Sequence, residues 1–301
     1  MTTGTRNDTS DEPLLSVIVP VYEDWDRVPG LLDCLEQQTL QRPRFEILLI
    51  DNGSVVSRLP VPGALQGACI VRRLDCARPG SYAARNHGIR HARGRFLAFT
   101  DADCRPEPRW LESGLAALRE DALVAGRVRM VRADENAPTT AAERFELVAG
   151  LPQARYVRRG YATTANLFIR RALLEAVGFF DEARYSGGDA ELCRRARRAG
   201  FGLRYSGDAV VRHPARRRLA DLVGKTHRIK GGQLRAGRWS RRLAWALRAF
   251  IPPVHDWLRL ARAGGPGLYA RVELCAVRGR LWLAEMAATT RLLSGASPPR
   301  R

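Results

Sequence analysis

The stretch that most constrains this chain is an apolar run of strand length that ends in two carboxylates. Residues 95–100 read RFLAFT, Asp101 and Asp103 follow at once, and Pro106 and Pro108 stop the strand from continuing. We interpret the run as a buried strand. Two carboxylates one residue apart at a strand end suit Mg²⁺ or Mn²⁺, ions that are commonly shared with substrate phosphates. The alternative for this pair is a solvated turn.

Alternating strands and helices surround this run and predict an α/β fold with a mostly parallel sheet flanked by helices. The three loops after Val21, Ile50 and Thr100 should therefore meet at the carboxyl edge of the sheet, where ligands bind. The chain contains neither G-x-G-x-x-G nor G-x-x-x-x-G-K-[ST], so a bound metal would have to supply the phosphate site. The predicted elements are a strand at 14–21, a helix at 27–39 that Asp26 caps, strands at 45–50 and 68–71, and a helix at 81–92.

Composition places the chain among folded globular proteins. It has 301 residues, of which 45% are apolar, and no segment reaches the roughly 18 uncharged apolar residues that span a bilayer. Residues 1–13 are polar and lack the order of a signal peptide, so we expect a disordered lead. The six cysteines form no C-x-x-C pair, which favours reduced thiols and a cytoplasmic protein.

The net charge of +19 is concentrated in the last third of the chain. Residues 211–301 hold 20 Lys+Arg against 4 Asp+Glu, whereas residues 1–210 hold 30 against 27. Apolar and aromatic residues lie among these arginines, and we expect about three helical pieces here. One interpretation is an amphipathic surface that binds anionic lipid, and the other is a helical bundle packed on the domain. A nucleic-acid-binding role rests on charge alone and is disfavoured.

Several motifs occur in a recognisable order. They are VIVPVY at 17–22, DNGS at 51–54, ARNHGI at 84–89, DAD at 101–103, ANLFIR at 165–170, GFFD at 178–181 and GGDAELCRR at 187–195. Together they resemble the family 2 glycosyltransferases of GT-A fold, and the resemblance covers residues 14–214. It implies a nucleotide-sugar-binding half at 14–105 and an acceptor-binding half at 106–215, followed by a basic, amphipathic helical extension at 216–301.

The resemblance also implies an activity. It is the inverting, Mn²⁺- or Mg²⁺-dependent transfer of a sugar from a nucleotide-diphospho-sugar, most plausibly a UDP-sugar, to an acceptor hydroxyl. The acceptor would be a saccharide or a lipid-linked glycan in cell-surface glycan synthesis, made at the inner face of the plasma membrane. The implied donor-binding residues are Pro20, Tyr22, Glu23, Asp51, Arg85, Asp101, Ala102 and Asp103, and the implied metal ligands are Asp101, Asp103 and His213.

The implied catalytic base is Asp189, with Glu191 as its rival. The family's usual pattern at this point is Glu-Asp, and Gly188 replaces the Glu. Asp189 opens a predicted helix that runs to Ala199, so its alternative role is a helix N-cap. The alternative for Glu191 is an ion pair with Arg194 or Arg195.

Three further expectations complete the sequence-based account. His213 follows a strand predicted at 208–212, and its alternative is a structural histidine. Acceptor specificity should reside in loops, chiefly residues 132–160. An inactive relative that only binds nucleotide sugar is a further alternative, which the intact set of aspartates argues against.

Overall fold

The computed structural model of the protein describes residues 12–41, 44–55, 70–119, 121–262 and 267–296. The strands are β1 Leu15–Val21, β2 Phe45–Asp51, β3 Ile70–Asp75, β4 Phe96–Phe99, β5 Arg105–Pro106, β6 Leu123–Val131, β7 Leu167–Arg170 and β8 Leu203–Pro214. The helices are α1 Val28–Glu36, α2 Ser81–His91, α3 Trp110–Ala117, α4 Ala141–Ala149, α5 Gln153–Arg158, α6 Arg171–Val177, α7 Gly188–Arg198, α8 Leu219–Arg235, α9 Trp239–Ala249, α10 Val254–Arg262 and α11 Leu268–Leu293.

All eight strands join one sheet, in the order β3-β2-β1-β4-β7-β6-β8-β5. The first four strands are parallel, and Val21 at the end of β1 pairs with Asp51 at the end of β2. The loops after β1, β2 and β4 therefore lie at one edge, as predicted. Strand β7 runs antiparallel between β4 and β6, which makes the complete sheet mixed.

The first strands are buried because helices cover both faces of the sheet. Val17 and Val19 pack in the cluster that contains α1 and α3 residues, whereas Ile18 packs in the cluster that contains α2 and α7 residues. This alternation follows from the two-residue period of a strand. A strand that is covered on both faces reads as a continuous apolar run, which is why β1 and β2 were visible in the sequence.

The structure corrects several predicted boundaries. Asp26 lies inside a short 3₁₀ turn, Trp25–Arg27, and the residue that precedes α1 is Arg27. Asp26 therefore caps neither element. Strand β3 runs to Asp75, and the predicted positions 68 and 69 lie outside the described residues, as do residues 1–11 of the predicted disordered lead. The segment 132–160 is not one loop, because it contains α4 and α5.

The predicted division at 105/106 falls within β5, and strands from both predicted halves share the sheet. The two halves are therefore joined by continuous strand pairing. The division into donor and acceptor halves remains a prediction.

Four helices, rather than three, are described in the basic tail, and α8, α10 and α11 pack against α4 as the bundle interpretation predicts. Phe145 of α4 shares a buried cluster with Leu222 of α8, Leu260 of α10 and Leu274 of α11. A buried Glu146 carboxylate adds a polar anchor, since Lys225 Nζ lies 2.8 Å from it. No helix in the described part of the chain is long and apolar enough to cross a membrane.

Candidate active site

An acidic cluster lies at the carboxyl end of β4. Asp101, Asp103, Cys104 and His213 each offer one ligand atom, and these atoms lie within 4.8 Å of one another. His213 lies within β8 rather than after it. Because β5 follows the Asp101–Asp103 turn directly and pairs antiparallel with β8, the sheet itself brings His213 to the two carboxylates.

The donor atoms of this cluster fit a divalent metal. His213 Nδ1 donates to the Pro214 carbonyl at 2.9 Å, which leaves Nε2 as the ring nitrogen nearest the carboxylates, 3.8 Å from Asp103 Oδ1. Burial raises the pKa of the Cys104 thiol well above its usual value, and the thiol, which is buried in the core, donates to the Ala165 carbonyl at 3.9 Å. Two carboxylates and one imidazole nitrogen make an oxygen-rich set suited to Mn²⁺ or Mg²⁺.

Helix α2 connects this cluster to the predicted base. Arg85 and Tyr82 are three residues apart and so project from the same face of the helix. The Arg85 guanidinium lies 2.7 Å from Asp101 Oδ1, and the Tyr82 hydroxyl donates to Asp189 Oδ1 at 3.4 Å. The two carboxylates therefore belong to a single site.

Asp189 is the second residue of α7, and Gly187 precedes the helix in a left-handed conformation. The N-cap is thus Gly187, and Asp189 instead accepts the N–H of Ala190 at 2.8 Å. Burial raises the pKa of the Asp189 carboxyl, although the Ala190 N–H and Arg85 act to lower it. A raised pKa makes this carboxylate a stronger proton acceptor.

Gly188 leaves space for the Tyr82 ring. A Cβ atom placed on residue 188 would lie 2.8 Å from Tyr82 Cε2. Where the family has Glu at position 188, this chain has a glycine, and the Tyr82 ring fills the space that a side chain there would need. The Tyr82 hydroxyl also hydrogen-bonds Asp189, the aspartate of the pattern. Sequence reasoning noted Gly188 but missed Tyr82, which is 107 residues from Asp189.

The rival base Glu191 is held in an ion pair. Both of its carboxylate oxygens accept from the Arg195 guanidinium at 3.0 Å. The predicted pairing of Glu191 with a neighbouring arginine is confirmed.

A second group of polar side chains lies where β1 and β2 end. Asp51 is buried, and it accepts from the Ser54 N–H and from Arg73, each at 3.0 Å. Glu23 has a positive φ of 56° and accepts the N–H of Val55 at 2.8 Å. The predicted donor-binding segment at residues 20–23 therefore lies against the Asp51 loop.

Ala102 differs from the other predicted donor-binding residues. Its side chain is buried in the core cluster of β1 and α1, so only its backbone can face a ligand.

The sequence model for Glycosyl transferase family 2 matches residues 16–181, which is more than half of the chain. This chain is a family 2 glycosyltransferase. It is 32% identical to Glycosyltransferase AglE of Haloferax volcanii over 286 residues, covering 89% of this chain and 93% of that protein. It is 35% identical over 153 residues to the Pre-mycofactocin glycosyltransferase of Mycobacterium tuberculosis, covering 48% of this chain and 32% of that protein.

Solved structures confirm the GT-A fold of this glycosyltransferase. S. aureus TarS 1–349 in complex with UDP-GlcNAc has a TM-score of 0.54 at 16% identity, covering 93% of this chain and 92% of that one. The mannosyltransferase PcManGT of Pyrobaculum calidifontis, in complex with GDP-Man and Mn²⁺, has a TM-score of 0.51 at 18% identity. The latter match covers 96% of this chain and 77% of that one.

The tail of the glycosyltransferase also reaches the site. Burial and Arg216 lower the pKa of the Arg228 guanidinium on α8, whereas Tyr82 and Asp101 act to raise it. Arg228 therefore lies within electrostatic range of the acidic cluster. One turn later, α8 packs so closely on the loop before α7 that a Cβ on Gly232 would lie 2.6 Å from the Ser186 carbonyl oxygen. No sequence pattern distinguishes Arg228, because it is one arginine among many in the tail.

Proposed function

We propose that this glycosyltransferase moves a sugar from a nucleotide-diphospho-sugar to an acceptor hydroxyl with inversion at the anomeric carbon, and that it requires Mn²⁺ or Mg²⁺. The observation that carries the proposal is the bridge made by α2. Arg85 contacts Asp101 of the acidic cluster, and Tyr82 contacts Asp189. One rigid helix thereby sets a metal-binding group and a proton acceptor in a fixed relation.

Asp101, Asp103 and His213 would hold the ion. The bound ion would neutralise negative charge on the leaving nucleoside diphosphate. The Arg85 and Arg228 guanidinium groups would add fixed positive charge near the same diphosphate, which stabilises charge that develops there.

Asp189 would act as the general base. The acceptor oxygen forms a bond to the anomeric carbon while the bond from that carbon to the diphosphate oxygen breaks on the opposite face. The acceptor proton passes to the Asp189 carboxylate, and the nucleoside diphosphate leaves. The Tyr82 hydroxyl keeps Asp189 oriented, since it donates to one of the two carboxylate oxygens. Glu191 would not compete, because Arg195 engages both of its oxygens.

The nucleoside would bind where β1 and β2 end. Asp51 would accept from the base, and Pro20, Tyr22 and Glu23 would form the neighbouring wall. The backbone at Ala102 would contact the donor between the two aspartates. UDP is the first nucleotide to test, since structures of TarS with UDP and UDP-GlcNAc share this fold. GDP is its competitor, because PcManGT binds GDP-Man.

The acceptor would be a saccharide or a lipid-linked glycan of the cell surface. The reaction would then take place on the cytoplasmic side of a membrane, with the tail at residues 216–301 in peripheral contact with it. Nucleic acid has no role in this proposal.

The proposal is tested by incubating the purified protein with UDP-, GDP- and dTDP-sugars, with Mn²⁺ or with EDTA, and measuring the release of nucleoside diphosphate. We expect slow donor hydrolysis with one nucleotide class, dependent on Mn²⁺. Absence of both hydrolysis and nucleotide binding in a folded sample would contradict the proposed activity.

A further inference from the structure

Helix α9 exposes large apolar side chains that its packing does not use. Trp239 is 75% exposed, Leu247 is 61% exposed and Ile251, just beyond the helix, is 62% exposed. The packed side of α9 adjoins them and carries Ala246 and Ala249, which are buried. Exposure of such side chains to water is unfavourable unless something covers them.

These side chains form one stripe, because they recur at spacings of three or four residues. Exposed apolar side chains also follow Pro252 and Pro253, at Val254 and Leu258 of α10. We call this set the apolar stripe, and it consists of Trp239, Leu243, Leu247, Phe250, Ile251, Val254 and Leu258.

Arginines accompany the stripe along both helices. Arg241 and Arg248 are exposed and seven residues apart, so they lie on the same side of α9, and α9 contains no acidic residue. At the other end, Leu258 of the stripe also lines an open cleft of about 500 Å³ between α10 and α4. His255, Arg259 and Arg262 line this cleft with Val148, and Arg259 also lies 3.8 Å from Asp256.

Helix α9 also brings an arginine close to helix α7. Burial lowers the pKa of the Arg241 guanidinium, and the positive charges of Arg194, Arg184 and Arg198 lower it further. These four like charges repel one another and would be stabilised by anions between them. Arg194 and Arg198 belong to the helix that carries Asp189, so the positive charge of Arg241 lies near that helix.

We propose that the apolar stripe and its flanking arginines form a docking face for an anionic lipid bilayer. The apolar side chains would enter the boundary between headgroups and acyl chains, and the arginines would bind lipid phosphates. A second copy of this chain fits less well, because it would bring two sets of arginines together. A phosphodiester backbone would leave the apolar stripe uncovered. Docking at this face would fix how the acceptor side of the enzyme is oriented relative to the bilayer. That orientation rests on the proposed function, whereas the docking itself does not.

The test is sedimentation of the full chain with vesicles of phosphatidylcholine alone or mixed with phosphatidylglycerol, at low and high salt. We expect binding to the anionic vesicles only, weakened by salt. Leu247→Ser should lower the vesicle partition coefficient about tenfold. Its control is Ile70→Ser on edge strand β3, which also removes an exposed apolar side chain and should bind like the wild type.

The charge requirement is tested in the same assay. The double variant Arg241→Glu with Arg248→Glu should abolish vesicle binding. Its control, Arg93→Glu with Arg119→Glu, makes the same change in net charge at other exposed positions and should retain most of the vesicle binding. Equal vesicle binding by Leu247→Ser and the wild type would overturn the proposal. A dimer that Leu247→Ser dissociates, without vesicle binding by the wild type, would also overturn it. Nucleotide binding by each variant is measured in parallel, so that failure of the docking face and failure of the proposed enzyme are distinguishable.

Discussion

The pairing of Tyr82 with Gly188 is the most specific feature of the site at the level of single residues. The ring occupies the space that a side chain at position 188 would need, and its hydroxyl reaches Asp189. Burial raises the pKa of the Tyr82 hydroxyl well above its usual value, and the Asp189 carboxylate raises it further, so that the group remains a hydrogen-bond donor at all working pH values. Tyr82 is therefore a positioning residue for the proposed base.

We predict that Tyr82→Phe lowers kcat about tenfold and leaves KM for the donor near its original value, because a hydrogen bond to a charged carboxylate is lost. The acid limb of the pH profile should also move upward, since ionised Asp189 loses a donor. Steady-state kinetics across pH checks this. Tyr205→Phe removes a hydroxyl that contacts Arg127 elsewhere and should change neither quantity. An unchanged kcat in Tyr82→Phe would show that the hydroxyl does not position the base.

The ionised Asp189 carboxylate should lower the free energy of unfolding at neutral pH. Burial raises its folded pKa above 3.8, the ordinary value, so ionisation is harder in the folded state than in the unfolded state. The cost is absent below the unfolded pKa and grows as the pH rises through the folded pKa.

We therefore predict that Asp189→Asn raises the unfolding midpoint, and that the gain shrinks as the pH falls from about 8 to about 4.5. Denaturant unfolding at several pH values measures it. A variant less stable than the wild type at the upper pH would contradict the assignment of the raised pKa.

At the level of elements, the contact between α4 and α8 holds the tail on the catalytic domain. Burial acts to raise the pKa of Glu146, but Lys225 and Arg216 outweigh it and lower the pKa below its usual value. The Glu146 carboxylate accepts from Lys225 Nζ at 2.8 Å and from the Arg216 backbone N–H at 2.8 Å. Lys225 and Arg228 lie about one turn apart on α8. This network therefore anchors the helix whose Arg228 interacts electrostatically with Asp101.

We predict that Glu146→Gln lowers the free energy of unfolding by about 3 kcal/mol, because Lys225 is left with its charge uncompensated beside the core. It should also weaken nucleotide binding, since α8 carries Arg228. Urea unfolding and nucleotide titration check the two effects. Glu175→Gln removes an exposed carboxylate on α6 and serves as the control. Equal stability of Glu146→Gln and the wild type would rule out the anchor.

Which elements could be predicted depended on how each one is buried. Strands β1, β2 and β4 are covered on both faces and read as apolar runs, so their position and the shared edge of their loops followed from the sequence. Strand β6 was missed, because its outer half carries exposed or half-buried residues such as Arg127 and Arg129 that resemble a loop. The predicted cap at Asp26 is wrong because spacing alone does not distinguish a 3₁₀ turn from a helix start.

The site shows the same division. Asp101, Asp103 and Asp189 were predicted from local motifs that match the family. Tyr82 and Arg228 were not, since each reaches the site from an element more than 100 residues away from a partner, and only the tertiary fold brings them in. Local sequence indicates the groups that do chemistry better than the groups that orient them.

For the whole molecule, the basic tail has a packed face and an exposed face. Its buried face packs on α4 and places Arg228 near the acidic cluster, while its exposed face carries the apolar stripe. The two interpretations of the tail in the sequence, bundle and membrane surface, are therefore compatible, because they concern different side chains of the same helices. The bundle is observed, and the lipid contact is our proposal.

The central claim is that the metal-binding group and the base are separate parts of one site. The most direct measurement is calorimetric titration of the wild type, Asp103→Asn and Asp189→Asn with UDP, with Mn²⁺ or EDTA, alongside donor turnover. We predict that Asp103→Asn loses Mn²⁺-dependent binding, whereas Asp189→Asn binds like the wild type and turns over at least about 100-fold more slowly. Wild-type binding by Asp103→Asn, or wild-type turnover by Asp189→Asn, would contradict the account.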